Sequence, residues 1–418
     1  MEIVLYFTRQ RYLISLISQI FFEAYLLKPM DKSNTLVQKR LIVVLGMHRC
    51  GTSAITRGLQ VMGVHLGNRL MPLVAGNNDK GFWEDIDINA LNVEMLNALN
   101  NDWHHLSLIK QEDLELLKRD GFFIRAAELV QQKTVNNPLW GFKDPRISRL
   151  FPFWKEVFNY CNFDVSYILA VRHPISVALS LAKRNGIDME KSHLLWLIHL
   201  IKSLSGLTGC NYIVVDYDKL MQDADQELNR IAEKFNLKIN PAELEIFKSE
   251  FLDPNLRHAV FSYDDLMQHD RTSDFLRDVF TTVMNLSVDN QIEDVELQRK
   301  TEKWETELEK LNLSFIMADK AFKHVDMVHQ QLAEKETLIL KEREEKEDKI
   351  KKLSESLKKA DDLTAQIDLL NQQLIEKDNL ILQEKEEKNK IQTSISWQVT
   401  KPLRYIAKLL RNINSKRH

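Results

Sequence analysis

Five apolar residues, Leu41-Ile-Val-Val-Leu45, run straight into Gly46-Met-His48-Arg49-Cys50-Gly51-Thr52-Ser53. Few architectures accept that join. A short apolar run with β-branched residues and no polar face suits a strand buried on both sides, as in a parallel sheet. Glycines directly after it let the chain turn tightly around a bound group before a helix starts. Gly46 and Gly51 keep the G-x-x-x-x-G spacing of a nucleotide-binding P-loop, but Thr52 stands where that motif has its lysine. The positive charge has moved inside the loop, to Arg49. Such a cradle can hold phosphate through its amides, yet it lacks the lysine that reaches β- and γ-phosphates. This points to a donor with a different reactive group.

From Leu41 to about residue 290, short apolar runs alternate with helical periodicity, the pattern of an α/β fold around a parallel sheet. Strands are expected at Leu41–Leu45, Tyr167–Val171 and Tyr212–Val215, with helices after them at Thr52–Met62, Ile175–Arg184 and Ala224–Phe235. The expected architecture is a three-layer sandwich around a central parallel sheet, P-loop-like, over residues 39–290. Ligands of such sheets sit beyond the carboxyl ends of the strands. The three cysteines, Cys50, Cys161 and Cys210, show no C-x-x-C spacing and read as reduced thiols, with neither a disulfide frame nor a zinc site. A net charge of −3 leaves no bulk basic field to argue for nucleic acid.

Residues 291–393 change character, with no glycine or proline. Trp304, Leu311, Ala318, Val325, Leu332 and Ile339 recur every seven residues, with Leu308, Phe315 and Phe322 as a second column. This spells a long α-helical coiled coil able to self-associate. Leu353, Ala360, Ile367, Leu374 and Ile381 continue the first column, while the second changes sides, a local change of winding. His329, Glu336, Arg343 and Lys346 fall on the seam and should weaken its middle. Residues 394–418 form a basic amphipathic tail around Trp397, Pro402, Arg404, Lys408 and Arg411, suited to an anionic membrane surface or an acidic protein face; a solvated tail remains the alternative. At the other end, 1–38 is an extension whose Leu13–Leu27 run is shorter than a membrane span and interrupted by Gln19 and Glu23. An interfacial or packed helix, a signal anchor and a start at Met30 all stay open there.

A second stretch, Tyr167-Ile-Leu-Ala-Val171-Arg172-His-Pro174-Ile-Ser-Val-Ala-Leu-Ser180, ends a strand in Arg172, puts Pro174 in the first turn of a helix and Ser180 about two turns on. An arginine and a hydroxyl so placed can grip one phosphate. Together with the loop, this resembles the sulfotransferase family that uses 3′-phosphoadenosine 5′-phosphosulfate. The stretches Lys80-Gly-Phe-Trp83-Glu84-Asp85, Trp140-Gly-Phe-Lys143-Asp144-Pro-Arg146, Val214-Val-Asp-Tyr-Asp-Lys-Leu220 and Leu252-Asp-Pro-Asn-Leu-Arg257-His258 are similar to its bacterial, carbohydrate-type branch. The likeness spans roughly residues 41–258.

The resemblance implies that Gly46, His48, Arg49, Cys50, Gly51, Thr52 and Ser53 meet the 5′-phosphosulfate. Arg172 and Ser180 would meet the 3′-phosphate, with Arg257 closing from a late loop. Arg49 departs from the lysine usual there. Arginine stays charged, so it can neutralise the leaving oxygen but not protonate it. Cys50 replaces a small hydroxyl residue and reads as loop filling. The acceptor oxygen must lose a proton, and Glu84 is the first choice of base; a carboxylate paired with Lys80 or Arg49 is the competing reading. Trp83, Asp85, Lys143, Asp144 and Arg146 are assigned to substrate. No metal is required. The expected activity is sulfuryl transfer to a hydroxyl or amine of a glycan acceptor, in a cytoplasmic protein able to touch the inner membrane face. The tail's likeness to bacterial polysaccharide glycosyltransferases suggests surface-glycan assembly. A P-loop kinase-like phosphotransferase and an inactive scaffold recruiting glycan enzymes are the rivals.

Overall fold

The computed structural model describes residues 39–73, 80–252, 261–289 and 292–414. The Leu13–Leu27 run, Arg257, His258, Lys416 and Arg417 therefore lie outside the described residues. Four parallel strands, β1 (Arg40–Leu45), β2 (Leu139–Lys143), β3 (Asp164–Val171) and β4 (Asn211–Asp216), make one sheet in the order β2-β1-β3-β4. Val43 of β1 pairs with Phe142 on one side and Tyr167 on the other.

Alternation along the strands builds two cores. Leu41, Val43 and Leu45 join Leu169 and Val171 beneath the helices Ile147–Tyr160, Met189–Leu207 and Asp274–Leu286. Ile42, Val44, Ile168, Ala170, Ile213 and Val215 face the other way, onto the helices Thr52–Val61 and Ala224–Phe235. The result is the three-layer α/β sandwich expected from sequence. Apolar on both faces, each strand has no side to offer to water. The chain leaves β1 for β2 on one side and returns past β1 to β3, so the loop after β1 sits where the strand order reverses, the place open α/β sheets reserve for ligands.

One continuous helix of 100 residues, Asp294–Thr393, follows the sheet domain. The chain divides into two compact units, one running to Lys323 and the other from His324. Within the first, the helix buries Leu297, Trp304, Leu308 and Phe315 in the domain's own core, with Leu311 left 41% exposed. Trp304 Nε1 donates to Asp278 at 2.8 Å, and Lys191 lies 3.8 Å from the Phe322 ring centroid. The early part of the apolar stripe therefore packs inside its own chain. From His324 onward the stripe is open: Leu332, Ile339, Leu353 and Leu374 are all exposed. Among the described residues no helix is long and apolar enough to cross a membrane.

Candidate active site

The loop after β1 is fixed by what surrounds it. Gly46, at φ 138°, passes so close to β3 that a Cβ there would lie 2.6 Å from the Ala170 carbonyl oxygen, and its amide donates to Ser148 Oγ at 3.0 Å. Gly51, at φ 81°, caps the helix Thr52–Val61, and a side chain there would overlap the Tyr217 ring. Both glycines are demanded by space as well as by backbone conformation. The helix carries no side-chain cap and no acidic residue in its first turn, leaving the positive end of its dipole uncompensated toward the loop. Cys50 is buried, and burial pushes its thiol up to about 12, so it fills space as a neutral group.

Arg49 adopts φ 70° and turns its guanidinium across the sheet edge, where Nε donates to Ser180 Oγ at 2.8 Å. Arg172 follows β3 and reaches the Arg49 carbonyl oxygen at 3.5 Å, with its guanidinium 4.7 Å from the Tyr217 ring centroid. The loop and the Arg172–Ser180 segment, distant in sequence, thus converge at one place. Burial and then the charge of Arg172 lower the basicity of Arg49. Two guanidiniums held together in a water-poor place are a standing invitation to an anion. The buried Nε of Arg172 and Nε2 of His48 have no hydrogen-bond partner among the described residues. Burial, followed by the charges of Arg146 and Arg184, holds His48 well below its ordinary range, so its ring is neutral.

A second cluster stands beside the first. Ser53 Oγ donates to the Phe82 carbonyl at 3.0 Å and Arg57 lies 5.6 Å from the Trp83 ring centroid, tying residues 80–85 to the helix after the loop. Glu84 is buried, 4% exposed, with Lys143 Nζ at 2.7 Å, Asn89 Nδ2 at 2.8 Å and Arg146 Nη1 at 3.7 Å. Its partners are therefore Lys143 and Arg146, not Lys80, whose Nζ donates to the Glu250 carbonyl. Asp144 accepts from Asn92 Nδ2 at 3.0 Å and from the amide and guanidinium of Arg146. Burial acts to lower the basicity of Arg146, but Asp144 and Glu84 outweigh it and the net shift is upward.

Asp85 is placed differently from a substrate ligand. It caps the helix Ile86–Ala98 through the amides of Asp87 and Ile88 and meets Lys133 Nζ at 2.6 Å, only 1% exposed. Trp83 is half-buried at φ 57°, its Nε1 donating to the Lys80 carbonyl. Such a backbone costs a non-glycine residue about 1–3 kcal/mol and gathers at functional places. Among the described residues no group of three His, Cys, Asp or Glu side chains is arranged to hold a metal ion.

Ser148, Trp103 and Arg184 have no assigned role in the sequence, and Tyr217 enters there only as part of the stretch 214–220. Tyr217 directly follows β4, the strand end where ligands gather, and Arg184 lies one helical turn past Ser180, so both had a positional signal. Trp103 had none. It comes from the loop 102–108 to pack on His48, ring centroids 4.3 Å apart.

Fold and site together define an α/β protein with a P-loop-like loop at which two arginines converge. No family model matches the chain, and no curated protein does. Among solved structures it is similar to the sulfotransferase domain of the Synechococcus PCC 7002 olefin synthase, at 16% identity and TM-score 0.32 over 65% of this chain and 98% of that one. It is also similar to the sulfotransferase STF1 of Mycobacterium tuberculosis H37Rv, at 14% identity and TM-score 0.31 over 59% of this chain and 77% of that one. A retinol dehydratase in complex with androsterone and the inactive cofactor PAP matches at 13% identity and TM-score 0.29, over 64% of this chain and 80% of its own. Likeness at this level carries no weight by itself, so the residues of the site must carry the reading.

Proposed function

We propose that the chain is a sulfotransferase that moves a sulfuryl group from 3′-phosphoadenosine 5′-phosphosulfate to a hydroxyl, or an amine, of a carbohydrate acceptor in surface polysaccharide synthesis. The observation that carries this reading is the convergence of Arg49, Ser180 and Arg172, which puts a cradle without a P-loop lysine beside a second anion grip. The Nε of Arg172 and Nε2 of His48, without partners among the described residues, suit a ligand with acceptor oxygens at both ends.

The donor supplies an activated sulfur whose bond to the 5′-phosphate oxygen breaks as the acceptor oxygen attacks in line. In this chain, the loop from Gly46 to Ser53 and Arg49 neutralise the charge that develops on the leaving phosphate. Arg172 and Ser180 hold the 3′-phosphate, the end to which the family resemblance also assigns Arg257. Arg49 exchanges Ser180 for the leaving group as the nucleotide takes its place. Glu84 accepts the acceptor proton, with Lys143 and Arg146 fixing its orientation and Asp144 fixing Arg146. Trp83 lies beside Glu84 as a flat face for an acceptor ring.

Residues 39–290 carry the chemistry in this proposal, 291–393 self-associate through the open part of the stripe, and 394–418 meet an anionic membrane surface from the cytoplasmic side. The test is nucleotide-dependent thermal stabilisation. 3′-Phosphoadenosine 5′-phosphate should raise the melting temperature and ATP with Mg²⁺ should not; the reverse result would establish a kinase-like enzyme instead. Donor binding without sulfate transfer to any host glycan would favour the scaffold.

A further inference from the structure

Arg184 is a cation of this site that no carboxylate among the described residues answers. It lies one helical turn beyond Ser180 on the helix Pro174–Asn185, so the two side chains share a face. Its guanidinium is 5.5 Å from the ring centroid of Trp103, the same ring that packs on His48. Lys143 and Arg146 have partners in Glu84 and Asp144. Arg184 makes no ion pair among the described residues, and its Nε donates to the side-chain oxygen of its neighbour Asn185. Burial first, then the charge of Arg49, lowers its basicity, with Glu84 acting in the opposite direction. Its pKa falls only to about 10, so it stays charged at neutral pH, and it feels the charges of both the loop arginine and the candidate base.

The charges of a bound donor are already met: the 5′ end by the loop and Arg49, the 3′ end by Arg172. Arg184 stands instead against Trp103, whose ring also packs on His48 of the loop, and it feels the charge of Glu84, the candidate acceptor of the hydroxyl proton. A guanidinium backed by an aromatic ring presents its donor fork to paired oxyanion oxygens, as in a carboxylate or a sulfate ester. We propose that Arg184, with Trp103, binds an anionic substituent of the acceptor, a carboxylate or a sulfate ester, near the hydroxyl that takes the sulfuryl group. The acceptor is thereby an acidic glycan in place of a neutral one. This rests on the sulfotransferase reading above.

The test is calorimetric titration of the full chain saturated with 3′-phosphoadenosine 5′-phosphate, using glucuronate, inorganic sulfate and neutral glucose as probes, with Arg184→Gln and Arg184→Lys alongside. The wild-type complex should bind glucuronate or sulfate and not glucose. Arg184→Gln should weaken that binding roughly tenfold or more, as expected for loss of a charge-assisted hydrogen bond, and Arg184→Lys should restore part of it. Nucleotide affinity should stay within about twofold in both variants, a smaller change than one lost hydrogen bond gives. Preference between glucuronate and sulfate tells the carboxylate from the sulfate ester. Unchanged probe binding in Arg184→Gln, or none in the wild type, would overturn the proposal alone. A matching fall in nucleotide affinity would move Arg184 to the donor. Failure of the wild-type chain to bind the nucleotide would remove the sulfotransferase reading, and the proposal with it.

Discussion

Replacing Asp319 with alanine should loosen the wall of the site while leaving the sheet intact. Asp319 lies on the long helix, 8% exposed, and accepts two consecutive amides of the loop 102–108, Leu106 N at 2.8 Å and Ser107 N at 2.7 Å. Asn312, two turns earlier, accepts Leu108 N at 2.9 Å. From the other side, Arg149 donates to the carbonyls of Asp102, Trp103, His105 and Ser107. The peptide groups of this loop are thus held on both edges, and the loop in turn places Trp103 on His48. Removing the carboxylate strands two amides at about 1–3 kcal/mol each, reduced by whatever water reaches Ser107, so about 2–4 kcal/mol of local stability is at stake. That is roughly 30-fold or more in an opening equilibrium. Hydrogen exchange read by mass spectrometry should show the amides of 106 and 107 exchanging faster by that factor, with β1 and β3 unchanged. Affinity for 3′-phosphoadenosine 5′-phosphate should be retained and acceptor KM should rise. Unchanged exchange at 106–107 would refute the reasoning, as would uniform acceleration across the sheet, which would mean global destabilisation.

Glu84→Gln should abolish transfer and also cost about 3–5 kcal/mol, because Lys143 is left buried without its charge partner; urea denaturation checks this, and Glu84→Gln with Lys143→Met should recover much of the loss. Gly51→Ala should unfold the loop by driving a Cβ into Tyr217, and Tyr217→Ala should recover only part of the loss, because alanine keeps a Cβ 2.7 Å from the new one and the φ of 81° still strains an L-residue, as melting curves with and without ligand would show. Asp216 has its carboxyl raised by burial from 3.8 to about 6. The folded state therefore binds this proton more readily than the unfolded one. The contribution favours folding fully below pH 3.8 and is lost as the pH rises through 6, about 3 kcal/mol across the window. Asp216→Asn keeps an acceptor for the Asp218 amide, so its denaturation midpoints should depend less on pH between 4 and 7; an unchanged slope would contradict this.

Much of the frame was legible because burial on both faces leaves a plain mark. β1, β3 and β4 are apolar runs that a reader can find unaided. β2 is not, since Leu139-Trp-Gly-Phe-Lys143 is short and broken by a glycine and a lysine, although its Trp140 and Phe142 are as buried as any residue in the core. The loop and the Arg172–Ser180 pair could be singled out as candidates because phosphate chemistry restricts residue types at fixed spacing. Their meeting through Arg49 and Ser180 could not, because it depends on how β1 and β3 lie side by side. Glu84 was visible as a candidate but its partners were not: pairing with Lys143 and Arg146 depends on where the segment 80–85, tied to the helix after the loop, meets the end of β2 and the turn after it. The heptads showed a sticky helix face. Periodicity names a face and never what covers it, so Trp304, Leu308 and Phe315 gave no hint that they pack within their own chain.

Arg49 carries a tension of a different kind. Its backbone sits at φ 70°, a conformation that glycine adopts freely and that costs an L-residue about 1–2 kcal/mol. The side chain that meets Ser180 at this position is therefore kept against the preference of the chain beneath it. Selection for robustness alone would drift toward glycine here and produce a sturdier protein with an empty-handed loop. A search for thermostable variants would meet that trap early, and Arg49→Gly is the change to exclude from any such library in advance.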